Sequence, residues 1–237
     1  MALPQVNTPT YELAVPSTDK KLKYRPFLVK EEKILMIAME AKEQSGIIDA
    51  VKQIVQSCTF EKFDMTKAPM FDVEYIFLNI RAKSVGETST VNLLCLDDNK
   101  TYVKADIDLT KVEVEMDKKH TNKIELTDEM GMIMSYPTLD SFDSLDISNI
   151  NASNMIDIIV ACVGQIYDKK GEEVFEAKDS TKKELIDFIE QLNSKQFQDV
   201  QKFFDTMPKL RHTITVLNPK TKKESNIQLS GLSDFFA

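Results

Sequence analysis

The chain has 237 residues, enough for one large domain or two small ones, and its 42% hydrophobic and 29% charged content is that of a folded protein rather than a disordered one. A formal net charge of -8 argues against a coat for nucleic acid or an anionic membrane, since both need clustered Lys and Arg. Cys58, Cys95 and Cys162 are far apart and odd in number, which excludes a disulfide framework and a Cys-based zinc pattern and points to a reducing compartment.

The opening MALPQVNTPTYEL lacks a basic start followed by an apolar run, so no signal peptide is expected. The most apolar stretches, 34–38 and 155–164, are too short or too interrupted for a membrane span of about 20 residues. The expectation is a soluble intracellular protein. Residues 10–15 and 20–27 read as strands around Pro16-Ser17-Thr18-Asp19, whose turn chemistry predicts a β-hairpin. Pro26 holds Arg25 extended, so a helix begins only after it. Over 30–43, Ile34, Leu35, Ala38 and Ala41 recur at near-helical spacing. Met36, Ile37 and Met39 widen that stripe, predicting a helix buried over much of its surface. Ile47, Ile48, Val51, Ile54 and Val55 form an i, i+3, i+4, i+7 series in the next helix, with Gly46 as the stop between the two. Pro69 opens a third helix, in which Phe71, Tyr75 and Leu78 share a face.

The period then changes. Residues 88–96 and 101–109 alternate around Asp97-Asp98-Asn99-Lys100, the clearest hairpin signal in the chain. Residues 111–116 and 124–126 continue the pattern, Val112 and Val114 alternating with Glu113 and Glu115. One small antiparallel sheet is expected over 87–136. Residues 137–154 are rich in Ser, Asp and Asn with no basic residue; they read as an acidic docking segment or as a loop carrying a short helix or caps. Beyond them, 155–167 is apolar nearly all round and predicts a buried helix, and 172–177 a short strand. Thr181-Lys182-Lys183-Glu184 fits a capping box before the next helix. Residues 196–206 form another helix, stopped by Pro208, and 213–217 and 225–229 are strands. The fold class expected is α+β, helices flanking short antiparallel β-hairpins. Two subdomains, 1–136 and 155–237, are joined by the linker 137–154.

Catalytic spacing is absent. The two His, 120 and 212, stand in polar or basic surroundings, no Ser sits in a G-x-S-x-G elbow, and no Gly-rich phosphate loop exists. Asp97, Asp98, Asp106 and Asp108 could hold a divalent ion, but the Gly and terminal Glu of an EF-hand loop are missing, and Asp97-Asp98-Asn99 also reads as plain turn chemistry. The Lys-rich 220–223 and Lys118-Lys119 read as solvated hairpin tips. Eleven Met, among them Met36, Met39, Met65, Met70, Met130, Met132 and Met134, make either an adaptable binding surface or core filling. Leu232, Phe235 and Phe236 carry apolar area that must dock, on the second-half helices or on a partner.

The stretch 23–39, KYRPFLVKEEKILMIAM, runs from an extended Arg-Pro-Phe through Lys-Glu-Glu-Lys into an apolar helix. It resembles the entry segment of the T-even-like myophage baseplate hub family, the hub subunits or hub assembly chaperones of contractile phage tails. The helix 47–58, the aromatic run 71–82 with Tyr75-Ile76-Phe77-Leu78 and Arg81, and the ending Leu232-Ser233-Asp234-Phe235-Phe236 are similar as well. The resemblance is good over residues 10–110, weaker in the middle, and returns in the second half. It implies a non-enzymatic, late-expressed viral protein that assists assembly of the baseplate hub, as chaperone or hub subunit. Its partners would be other hub proteins, with no nucleic acid, membrane or cofactor. Its place would be the host cytoplasm during phage assembly, or the virion tail baseplate. Some relatives carry Cys pairs suggestive of zinc at the hairpins corresponding to 95–102 and 217–226. Here only Cys95 stands there, so no metal is expected and the hairpins must be held by packing and turn chemistry. Arg25, Phe27, Leu232, Phe235 and Phe236 are the expected partner-binding residues, although Phe27 would equally pack where the first hairpin meets its helix. The rival reading is an enzyme dependent on a divalent metal held by the four Asp.

Overall fold

Four turn residues, 16–19, fold the start of the chain back on itself: β1 (Tyr11–Ala14) pairs antiparallel with β2 (Lys21–Tyr24), Tyr11 opposite Tyr24. The computed structural model describes residues 6–41, 44–139, 141 and 152–235. After Pro26 come helices α1 (Val29–Ala41) and α2 (Gln44–Cys58). Gly46 does not separate them. It lies inside the first turn of α2, an end position where the backbone-entropy cost of a glycine weighs less than in a helix interior. The face of α2 predicted from its periodicity is the buried one, with Ile54 and Val55 fully enclosed. Helix α3 (Met70–Val85) starts after Pro69 and buries Phe71, Val73, Ile76, Phe77, Leu78 and Ile80. A helix apolar on so much of its circumference belongs in a core, and the other elements of its unit pack around it.

The strands that follow are β3 (Thr88–Leu94), β4 (Tyr102–Asp108) and β5 (Glu113–Glu115), then β6 (Lys123–Glu125) and β7 (Met130–Met134). They do not make one sheet over 87–136. β3 and β4 form a two-stranded hairpin by themselves. The helix expected over 155–167 is divided as well: α4 (Ala152–Ala161) ends and β8 (Val163–Asp168) begins, because β7 offers a ladder on which Ile166 lies opposite Met132. An apolar run suits a buried strand as well as a buried helix, and pairing decides between them. Gly131 is needed in β7, since a Cβ there would collide with the ring and hydroxyl of Tyr167. β9 (Glu173–Glu176) completes an antiparallel sheet of order β6-β7-β8-β9.

Helix α5 (Lys182–Glu190) carries the predicted capping box: the Thr181 N–H donates to Glu184 Oε2 at 2.8 Å, and the Glu184 N–H to Thr181 Oγ1 at 3.3 Å. Helix α6 (Ser194–Thr206) has a second box, built by Asn193 and Gln196. Strand β10 (Lys209–Leu217) then pairs with β11 (Glu224–Ser230) on one side and with β5 on the other, Leu210 opposite Val114. A 3-10 turn, Leu232–Phe235, follows Gly231, which takes φ 75°.

The fold class is α+β. The chain forms two units: one takes the described residues up to Glu115 and from Lys209, the other is Met116–Pro208. The first is built on Leu78, Val91, Ile107, Leu210, Leu229 and Phe235, the second on Met132, Met134, Ile159, Ile189, Val200 and Phe203. The division falls at 115/116 and 208/209, because the β5–β10 pairing returns the chain's end to its first unit. Of the linker expected at 137–154, residues 140 and 142–151 lie outside the described residues.

Candidate docking surface

Helix α1 turns few of its residues inward. Among its described side chains only Glu31 and Ala38 are buried. Val29 is 79% exposed, Met36 and Ile37 56% each and Met39 52%. The expectation of a helix buried over much of its surface is therefore corrected: the apolar stripe is present, but the described residues leave much of it uncovered. Periodicity reports which side chains are apolar and not what stands against them. On one flank, Leu35, Met36 and Met39 face Phe77 and Val85 of α3 across an apolar groove of about 610 Å³. Phe27 and Leu232 line it too, and Thr88, Ser89 and Thr90 of β3 form a wall.

Arg25 secures the start of α1. Its Nη2 donates to Glu31 Oε1 and to Ser57 Oγ at 2.9 Å each, and its Nη1 to the Pro26 carbonyl at 2.9 Å. Burial alone would push the Glu31 carboxyl up, but Arg25, the Leu28 N–H and Lys30 overcome that and hold it at about 2. Phe27 is buried, and its N–H donates to Ser84 Oγ at 2.9 Å. Phe235 docks on its own unit. Phe235 is fully enclosed by the α3, β3, β4, β10 and β11 side chains of the first core, and its carbonyl accepts the Ser89 hydroxyl at 2.7 Å. That places it against first-half elements and the terminal hairpin, and not against the second-half helices, one of the two docking places expected for it. The Leu232 N–H lies 3.4 Å from Glu74 Oε1. Burial pushes that carboxyl up to about 7 against the pull of this N–H.

Of the five residues expected to meet a partner, Arg25, Phe27 and Phe235 thus have their side chains committed inside this chain. Leu232 stands at the groove, and Phe236 lies outside the described residues. Val29 and the edge of β3 were not singled out from the sequence, and Ile37 was named there as a residue of the buried stripe rather than of a partner surface. For α1 the available signal was the width of its apolar stripe, Ile34 to Met39. The methionines divide: Met36 and Met39 are exposed, Met132 and Met134 fill the second core.

The four carboxylates of the rival reading are not assembled into a site. Asp97 accepts from Asn218 and Thr221, Asp98 from Thr101, Asp106 from Thr90 and Asp108 from Thr110. His120 packs against Tyr136 and Phe203 with Nδ1 2.9 Å from Thr206 Oγ1, and burial pushes its pKa down. Among the described residues no group of three or more His, Cys, Asp or Glu could hold a metal ion, and no helix is long and apolar enough to cross a membrane.

A family model described as T4 bacteriophage base plate protein matches residues 8–237. No curated protein and no solved structure matches the chain.

Proposed function

The chain belongs to the T4 bacteriophage base plate protein family, and from that premise we propose that it works without catalysis, as a subunit or assembly chaperone of the baseplate hub, through contacts with other hub proteins. The observation that carries this reading is α1. A folded chain that leaves Val29, Met36, Ile37 and Met39 in solvent on one helix has apolar area fitted to another protein. Methionine suits such a face, because its unbranched side chain adapts to the surface it meets. The engagement of Asp97, Asp98, Asp106 and Asp108 by hydroxyl and amide donors of this chain supports the non-catalytic reading.

The test is replacement of Met36 and Met39 together by Asp. Both are exposed, so melting should stay close to that of the unaltered protein, while infected cells lose hub-containing baseplates. Full phage yield from the double variant, with hubs present, would refute the reading. Mass spectrometry of mature particles then separates the two roles: a retained subunit is found in them, and a chaperone only in assembly intermediates.

A further inference from the structure

The wall of the groove made by β3 has a chemistry that the helical walls lack. Thr88, Ser89 and Thr90 all line it. Successive strand residues point their side chains to opposite faces, so three in a row reach one groove only where it runs along the strand's backbone edge. Among the described residues β3 pairs with β4 alone, which leaves that edge without a strand partner. The hydrogen-bond parity of the hairpin is set at both ends: the Cys95 N–H donates to the Thr101 carbonyl and the Leu109 N–H to the Glu87 carbonyl, each at 2.8 Å. Inward-bonded residues recur every second position in an antiparallel pair. Positions 87, 89, 91, 93 and 95 therefore turn their N–H and C=O toward β4, and Thr88 and Thr90 turn theirs away from it.

We propose that the groove receives an extended segment of a partner protein, which adds to β3 as a third strand. This rests on the reading of the chain as a baseplate assembly protein. The backbone groups of Thr88 and Thr90 supply the main-chain bonds, and the groove supplies selectivity for alternate side chains. An added strand shares the pleat of β3. Its residues beside Ser89 and Val91, which face the core, point toward Phe77 and the Met36–Met39 flank of α1; its residues beside Thr88 and Thr90 point to solvent. The ligand is accordingly a short run of alternating apolar and polar residues without proline. An unpaired edge beside an apolar channel suits that shape better than it suits a helix, which satisfies its own backbone and leaves the edge unpaired.

A tiled array of synthetic peptides covering the other baseplate proteins of the same phage is the probe, followed by amide exchange on the full chain with the best peptide. Binding by a peptide of alternating pattern, with the Thr88 and Thr90 amides newly protected, supports the proposal. Thr90→Pro removes one outward donor and no backbone bond to β4. It also removes the Thr90 hydroxyl bond to Asp106, so Thr90→Ala, which loses that bond alone, is its control, and Thr90→Pro should weaken that peptide about tenfold or more beyond it. N-methylation of alternate peptide residues should do the same, and this reading stands even if Thr90→Pro fails to fold. Undiminished binding to Thr90→Pro and to the N-methylated peptides, with loss on Met36→Asp, would mean a docked helix and overturn strand addition. Concentration-dependent self-association abolished by Met36→Asp, with no peptide bound, would make the occupant a second copy and also overturn it. If no peptide binds but the Met36 and Met39 double variant still loses hubs, strand addition fails while the assembly role survives. If that variant assembles hubs normally, the assembly reading fails first.

Discussion

Asn218 Nδ2 donates to Asp97 Oδ1 at 2.9 Å, joining the tip of the β3–β4 hairpin to the tip of β10–β11 across 121 residues of sequence. The same carboxylate accepts the Thr221 hydroxyl. Asn218 is fully buried, and its own Oδ1 accepts the Lys220 N–H at 2.9 Å. One amide therefore organises its own turn and fastens the neighbouring one, and the two tips meet through side-chain hydrogen bonds.

Replacing Asn218 with Ala should cost about 0.5–1.5 kcal/mol per hydrogen bond lost in denaturant unfolding, because Asp97 and Lys220 are exposed and can turn to water. Asn218 and Thr221 hold the Asp97 carboxyl below its ordinary range. A depressed pKa gives stability that is present above the unfolded value and lost as pH falls through the folded one. The acid-side loss should therefore be smaller in Asn218→Ala than in the unaltered protein.

The Arg25–Glu31 pair is nearly closed to solvent, with side chains 13% and 4% exposed. Arg25→Ala would leave the Glu31 carboxylate with the Leu28 N–H, the Ser57 hydroxyl and Lys30 but without its buried countercharge, and should destabilise by about 1.5–3 kcal/mol. Glu31 sits at about 2 against an ordinary 4.5, so its contribution is present above 4.5 and lost as pH falls toward 2. A stability titration from pH 6 downward should show that loss in the unaltered chain and a smaller one in Arg25→Ala, where the Leu28 N–H and Lys30 still hold the carboxylate.

Glu74 has the opposite sign. Its folded value of about 7 lies above the ordinary 4.5, so stability is fully present below 4.5 and declines as pH rises through 7. The decline should reach up to about 3 kcal/mol, at 1.36 kcal/mol per unit. Glu74→Gln keeps an oxygen facing the Leu232 N–H and removes the titration. Its stability should match the unaltered protein near pH 4 and exceed it at pH 8.

Phe235→Ala empties a fully enclosed site and should cost about 3–5 kcal/mol. Ser89→Ala loses one hydrogen bond to the Phe235 carbonyl, about 1 kcal/mol. A Phe235→Ala protein that melts normally would show that the tail does not dock on its own chain in solution.

What the amino-acid order determined by itself is local. The turn at 16–19, the hairpin around Asp97 to Lys100, the Pro69 start of α3 and the Thr181–Glu184 box each depend on groups a few residues apart, so neighbouring side chains and backbone dihedrals suffice to specify them. The family was legible from 23–39, since that run of residue types is specific. Tertiary structure decided the partners. Val114 meets Leu210 and Phe235 meets the Ser89 hydroxyl only because distant segments return to α3, and the apolar run after Cys162 became a strand only because β7 was there to pair with it. The docking surface belongs to the same class. The sequence shows that α1 carries an apolar stripe, but whether an apolar face is core or interface depends on what packs against it, and here the described residues leave Met36, Met39 and the outer edge of β3 uncovered.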